Sequence, residues 1–198
     1  MPELPEVQTV VNNLSPIMIN RYIRNVECPN QYKKVFSNIK LLDLNNNVRN
    51  KKIKNIFRRG KYIIFELEGG FISVHLRMTG QLLYNSNYNP KYVSAKFLLD
   101  ENDFFIFNDI RKFGRIYYSK TLLWLDKKLG IDPLSKYFTK SWLLTNICKK
   151  NRMIKALLFD QNFITGLGNI YIDECLWKSR IHPESIASKI PEKNILFL

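Results

Sequence analysis

The chain has 198 residues, with 31 Lys or Arg against 17 Asp or Glu and a formal net charge of +14. That length carries one large domain or two small ones with real cores. The cationic excess points to a polyanion, nucleic acid ahead of an anionic membrane surface.

The opening Met1-Pro2-Glu3-Leu4-Pro5-Glu6-Val7 is the most informative stretch. A small residue in second place permits removal of the initiator Met, which leaves Pro2 with a free secondary amine. Such an α-amino group has a reference pKa of about 7.7–8.0, against ~10.4 for a lysine side chain. Part of it is therefore unprotonated near neutral pH, and an amine that attacks a sugar aldehyde carbon gives an iminium. Glu3 is placed to move protons at the same centre. Taken alone, Met-Pro also fits an ordinary exposed terminus.

Pro5 suits the first turn of a helix, and Val7, Val10, Val11 and Leu14 recur on one face. Ser15-Pro16 is expected to end it. Lys51, Lys52, Lys54, Arg58, Arg59 and Lys61 then crowd a short segment that reads first as a solvated face. Lys61 differs, because it opens an expected strand over 62–67, where a side chain can be held against a cleft. Residues 62–67 and 71–76 flank Gly69-Gly70, a hairpin signature. The pattern recurs at 95–99 and 104–107, and 115–118 adds a further strand. Strands joined by tight turns argue for an antiparallel sandwich or barrel.

Arg111-Lys112-Phe113-Gly114 follows Asn108-Asp109 at a strand end. Basic residues beside an aromatic suit phosphate contact plus insertion into a base stack. Met78, on the turn Arg77-Met78-Thr79-Gly80, offers another apolar wedge. Singly, Met78 and Phe113 also read as core. Beyond residue 126 the period becomes helical: 142–147, 153–158 and 170–177, with Gly166-Leu167-Gly168-Asn169 before the last and Asn169 as its N-cap. Lys149, Lys150, Arg152 and Lys155 decorate the helix before this glycine turn, whose amides favour a phosphate. The turn also reads as purely structural, as do His75 and His182.

Cys28, Cys148 and Cys175 are odd in number and far apart, so neither a disulfide framework nor a Cys-x-x-Cys pair is present. His75 and His182 lie in separate regions, leaving no zinc-ligand spacing. No cofactor is expected. No apolar run approaches the ~20 residues that span a bilayer, and no basic-then-apolar leader opens the chain. Cytoplasmic residence follows as an expectation.

Together these segments resemble the formamidopyrimidine-DNA glycosylase family of base-excision repair. The matching strings run in order: PELPEV at 2–7, RRGKY at 58–62, HLRMTG at 75–80, NDIRKFG at 108–114, LGIDPL at 129–134, IKALLFD at 154–160, then GLGNIY and IHPE up to 184. Leu4 and the Met78, Arg111, Phe113 set favour the formamidopyrimidine branch over the endonuclease VIII branch.

The resemblance implies an α+β chain. Residues 1–126 would form a catalytic antiparallel β-sandwich with an N-terminal helix, and 127–198 an incomplete helix-two-turn-helix domain that binds DNA. It implies Pro2 as the nucleophile at C1′, Glu3 as the acid/base, and Lys61 as the lesion-flanking phosphate contact that assists β-elimination. Met78, Arg111 and Phe113 would fill the gap left by the everted nucleotide, with Arg111 facing the orphaned base. Lys155 and Asn169 would grip phosphates. Where the family often has Lys-His-x-His, this chain has Lys91-Tyr92-Val93-Ser94, so Tyr92 takes the DNA-contacting position.

The family's later helices, lesion-covering loop and four-cysteine zinc finger are missing here, and residues 194–198 read as mid-helix. The sequence thus leads us to expect a chain shortened by a frameshift, an early stop or a gene fragment, with apolar surface left uncovered. The expected function is a bifunctional glycosylase/AP lyase acting as a monomer on double-stranded DNA that carries oxidised purines or abasic sites. A non-catalytic damaged-DNA-binding remnant is the alternative, and a general RNA-binding protein ranks behind both.

Overall fold

The computed structural model describes residues 2–198, which fall into two compact units divided between Leu122 and Leu123. The helix over 123–126, which the sequence groups with the sheet domain, thus belongs to the helical unit.

The first unit begins with α1 (Leu4–Met18). Its apolar stripe of Val7, Val11 and Leu14 is buried and extends one turn further to Met18. The helix therefore runs through Ser15-Pro16, where the sequence suggested a stop. Pro16 removes only the hydrogen bond to Asn12, which lies on the exposed face. Ser15 donates its hydroxyl to the Val11 carbonyl at 2.7 Å. Burial of Met18 outweighs the proline.

Eight strands follow: β1 (Tyr22–Glu27), β2 (Lys51–Arg59), β3 (Tyr62–Leu67), β4 (Gly70–His75), β5 (Gln81–Tyr84), β6 (Val93–Leu99), β7 (Phe104–Asn108) and β8 (Arg115–Ser119). The helix α2 (Leu41–Val48) lies between β1 and β2 and packs on β1. Strand order is β5-β7-β6-β1-β2-β3-β4-β8, with every pairing antiparallel.

The two four-stranded halves join only through a short β1–β2 ladder, Tyr22 opposite Lys52 and Ile23 opposite Lys51. They fold face to face: Phe65 of β3 stacks on Phe105 of β7 at 5.3 Å, and Phe105 on Phe97 of β6 at 4.4 Å. This is the sandwich expected from the sequence.

The basic run at 51–59 keeps its lysines and arginines exposed or partly exposed, as expected of a solvated face. It is a strand whose apolar positions, Ile53 and Ile56, are buried in the core while Lys54 points to solvent. Strand β2 packs against α1, and Arg58 donates from Nε to Gln8 Oε1 at 3.0 Å across that contact.

The second unit holds α3 (Leu123–Asp126), α4 (Lys140–Ile147), α5 (Ile154–Phe159), α6 (Asn169–Lys178) and α7 (Glu192–Ile195) around Ile147, Ile154, Leu157, Ile172, Leu176 and Ile195. Thr139 caps α4 by accepting from the Trp142 amide at 3.1 Å. The cap of α6 is Gly168, and Asn169 is the first helical residue, its side chain exposed. The stretch 194–198 leaves the helix after Ile195. Of the basic cluster before the glycine turn, only Lys155 sits on a helix: Lys149, Lys150 and Arg152 lie in the α4–α5 connection. Among the described residues no helix is long and apolar enough to cross a membrane.

Candidate nucleic-acid interface and active site

The amino end of α1 and the β2–β3 turn carry the first group of expected residues. Pro2 is half-buried, just ahead of the helix. Met1, whose removal would free the proline nitrogen, lies outside the described residues. Glu3 is 2% exposed and occupies the N-cap. It forms a capping box with Glu6, whose Oε2 accepts from the Glu3 amide at 2.8 Å. The same interaction that starts the helix therefore fixes the Glu3 backbone.

Lys61 is not the first residue of β3 but the second of the two-residue loop Gly60-Lys61. Gly60 has φ 57°, the left-handed conformation that tight hairpins need at such a position. Arg58 donates from Nη1 to the Gly60 carbonyl at 3.0 Å, so the basic strand itself pins this turn. Lys61 is 5% exposed, and burial lowers its pKa while the nearby Glu3 charge pulls it back up. An acid at a helix terminus and a buried lysine thus act on each other beside Pro2.

His75, structural by its sequence context, packs edge-on against Tyr62 at 4.7 Å and accepts the Arg77 amide hydrogen at Nδ1, at 3.1 Å. Burial first, then the charges of Arg77 and Lys61, push its pKa down to about 3. The ring is neutral at physiological pH and adds no cation beside Lys61. Sequence patterning gives no sign of this, because the Tyr62–His75 pairing is a cross-strand contact.

The wedge residues sit on two loops at the same end of the strands as the Gly60-Lys61 turn, because His75, just before the first loop, pairs with both Tyr62 and Arg115. Met78 and Phe113 are each 46% exposed, which removes the reading of either as core. The Arg111 guanidinium lies 4.8 Å from the Phe113 ring centre. Arg77 and Lys112 take left-handed backbone, at φ 57° and 58°, so both loops hold a conformation that non-glycine residues rarely adopt. Tyr92 ends a short 3-10 turn begun by Asn89, its carbonyl accepting from the Asp109 amide at 2.8 Å, with the Lys91 ammonium 5.8 Å from its ring.

In the helical unit Lys155 and Asn169 line one cleft of about 440 Å³, together with Met153, Phe159, Pro183 and Glu184. Lys155 donates to Asp173 Oδ1 at 2.7 Å, so a phosphate would meet a lysine already oriented by a carboxylate. A larger cavity of about 670 Å³ lies beside Trp177 and holds none of the expected residues. Cys28, Cys148 and Cys175 stand apart, and among the described residues no cluster of three His, Cys, Asp or Glu could hold a metal.

These features match known proteins along the whole chain. The family model for the formamidopyrimidine-DNA glycosylase N-terminal domain covers residues 1–116, and that for the H2TH domain of the same enzymes covers 129–198. A formamidopyrimidine-DNA glycosylase of Pelotomaculum thermopropionicum is 39% identical over 203 residues, spanning 98% of this chain and 72% of its own length. One from Mycoplasma pneumoniae is 36% identical over 198 residues, spanning 96% and 71%. Among solved structures, the complex between Lactococcus lactis Fpg and DNA containing an abasic site superposes with a TM-score of 0.88 at 31% identity, covering 98% of this chain and 73% of that one. MutM in complex with DNA containing carbocyclic 8-oxo-G gives 0.89 at 32%, covering 99% and 75%. The chain belongs to the formamidopyrimidine-DNA glycosylase family of DNA repair enzymes.

Proposed function

We propose that this chain excises oxidised purines from double-stranded DNA and then cuts the abasic strand, with Pro2 as the covalent catalyst. Once Met1 is removed, the Pro2 nitrogen attacks C1′ of the damaged nucleoside. The C1′–N bond breaks, the base leaves with a proton, and the sugar ring opens to an iminium between Pro2 and C1′. Loss of a C2′ proton then expels the 3′ phosphate by β-elimination, and water hydrolyses the iminium to release the enzyme. Glu3 carries protons at the sugar. Lys61, its pKa lowered by burial, contacts the lesion-flanking phosphate and serves the elimination.

What supports this reading is Glu3, next to Pro2 in the chain at the α1 terminus, buried and charge-coupled to the buried Lys61. Met78, Arg111 and Phe113 offset the few kcal/mol needed to take a base out of the stack. Tyr92, Lys155 and Asn169 contact the backbone, which a chain of net charge +14 attracts at long range. The solved relatives, bound to DNA with abasic sites or 8-oxo-G, support DNA of this kind as the partner.

Borohydride reduction tests the proposal. The Met-trimmed chain should give a covalent adduct with abasic-site duplex and should nick a duplex containing 8-oxoguanine or formamidopyrimidine, while Pro2→Gly should do neither. DNA binding without adduct or nicking would make the chain a damaged-DNA-binding protein instead.

A further inference from the structure

Asp109 is a fully buried carboxylate at the end of β7, and no step of the proposed reaction uses it. A buried carboxylate is costly unless hydrogen bonds satisfy it, and here the donors come from both wedge-bearing loops. Oδ1 accepts the hydroxyl hydrogen of Thr79, the neighbour of Met78. Oδ2 accepts from the Gly114 amide at 2.7 Å, beside Phe113, and Oδ1 also receives the Arg111 amide at 3.3 Å. The Thr79 hydroxyl oxygen itself faces the Arg111 amide at 3.4 Å.

Two glycines close the arrangement against one ring. A Cβ on Gly80 would stand 2.8 Å from Phe107 Cζ, and one on Gly114 only 2.2 Å from the same atom. Both loops therefore rest on Phe107 of β7 while Asp109 ties them together. Arg115 adds a bond from Nη1 to the Gly114 carbonyl at 2.7 Å. Met78, Arg111 and Phe113 stay exposed, yet the backbones beneath them are fixed.

We infer that Asp109 is a positioning residue whose carboxylate couples the Met78 turn to the Arg111–Phe113 loop, so that the three side chains enter the base stack as one unit. The inference rests on the proposed function. Asp109→Asn turns one carboxylate oxygen into an amide donor, so either the Thr79 hydroxyl or the Gly114 amide faces a donor. Thr79→Val keeps the volume and removes only the link to the Met78 turn, while Thr79→Ser keeps that link.

The test compares two substrates, duplex and single-stranded DNA, on the 198-residue chain after Met1 removal. One is a duplex with 8-oxoguanine and, for binding, a duplex with a tetrahydrofuran site beside 2-aminopurine, whose fluorescence rises when its stack opens. The other is a single-stranded abasic oligonucleotide, which has no stack to open, read by borohydride trapping. Asp109→Asn and Thr79→Val should each lower single-turnover excision from the duplex by about tenfold or more, the scale of a lost charge-assisted hydrogen bond. Both should lose the fluorescence rise, while single-strand trapping stays at the wild-type level and Thr79→Ser behaves as wild type. Duplex and single-strand activities falling together would make Asp109 merely structural and overturn the inference. So would a folded Thr79→Val with wild-type excision. A wild-type chain that gives no adduct and no fluorescence rise overturns the function beneath it instead.

Discussion

Lys61 and Lys155 are both lysines on a strongly basic chain, and the two units of the protein treat them differently. Lys61 sits in a two-residue turn of the sheet unit, shut from water, with its pKa lowered by burial. Lys155 lies on the short helix α5 of the helical unit, partly exposed and paired with Asp173. Burial changes a proton affinity and so suits chemistry, whereas the pair with Asp173 fixes where the Lys155 side chain points. The cores differ in the same sense. A stack of Phe65, Phe105 and Phe97 sits within the aliphatic core of the sheet unit, whereas in the helical unit Phe138, Trp142 and Phe163 pack on the flank of an aliphatic core.

The largest expected effect probes the packing that keeps the sheet side rigid. Phe105→Ala opens a hole between Phe65 and Phe97 and should cost about 3–5 kcal/mol in urea unfolding followed by circular dichroism. A loss below about 1 kcal/mol would mean that the stack is not what holds the two halves of the sandwich together.

Next, Lys61→Gln should slow strand cutting by about 100-fold or more in single turnover, far beyond the loss of duplex affinity expected from one phosphate contact. Lys155→Ala should do the reverse. Its single-turnover rate should hold, affinity should weaken, and the slope of log affinity against log salt should fall by about one. Equal behaviour of the two variants would remove the contrast between them.

His75 gives a pH test confined to the sheet unit. Its pKa is depressed to about 3 in the folded protein, against about 6.5 when unfolded, so the unfolded chain binds the extra proton across that interval. The histidine therefore contributes stability that is complete above about pH 6.5 and is lost as the pH falls towards 3. The slope is at most about 1.4 kcal/mol per pH unit. Subtracting the His75→Gln curve from the wild-type curve isolates it, and identical pH dependence would refute it.

The smallest effect belongs to the helical unit. Thr139→Ala should cost about 1 kcal/mol through loss of the α4 cap, read by tryptophan fluorescence because all three tryptophans, Trp124, Trp142 and Trp177, lie there.

Much of this architecture is legible in the amino-acid order. The apolar stripe of α1, the Gly69-Gly70 hairpin and the strands around 100–103 follow from period and turn chemistry, and the short strings carry the family. What escapes depends on partners distant along the chain. The lysines of β2 mask a strand whose buried Ile53 and Ile56 are three apart across a register shift and which meets a helix some forty residues earlier, as in the Ser15 bond to the Ile56 carbonyl at 3.3 Å. Pro16 weighs too heavily in a local reading, because the burial of Met18 is invisible there. Asn169 looks like a cap by residue type, but Gly168 holds that place. Asp109 reads as a strand end, and its three donors come together only when the loops fold onto Phe107.

The position of the covalent bond tests the account most directly. After borohydride reduction on abasic-site DNA, peptide mass spectrometry should find the sugar remnant on the peptide that begins at Pro2, with Met1 gone. A remnant on Lys61 or another lysine, or a retained Met1 on protein that still cuts the strand, would contradict it.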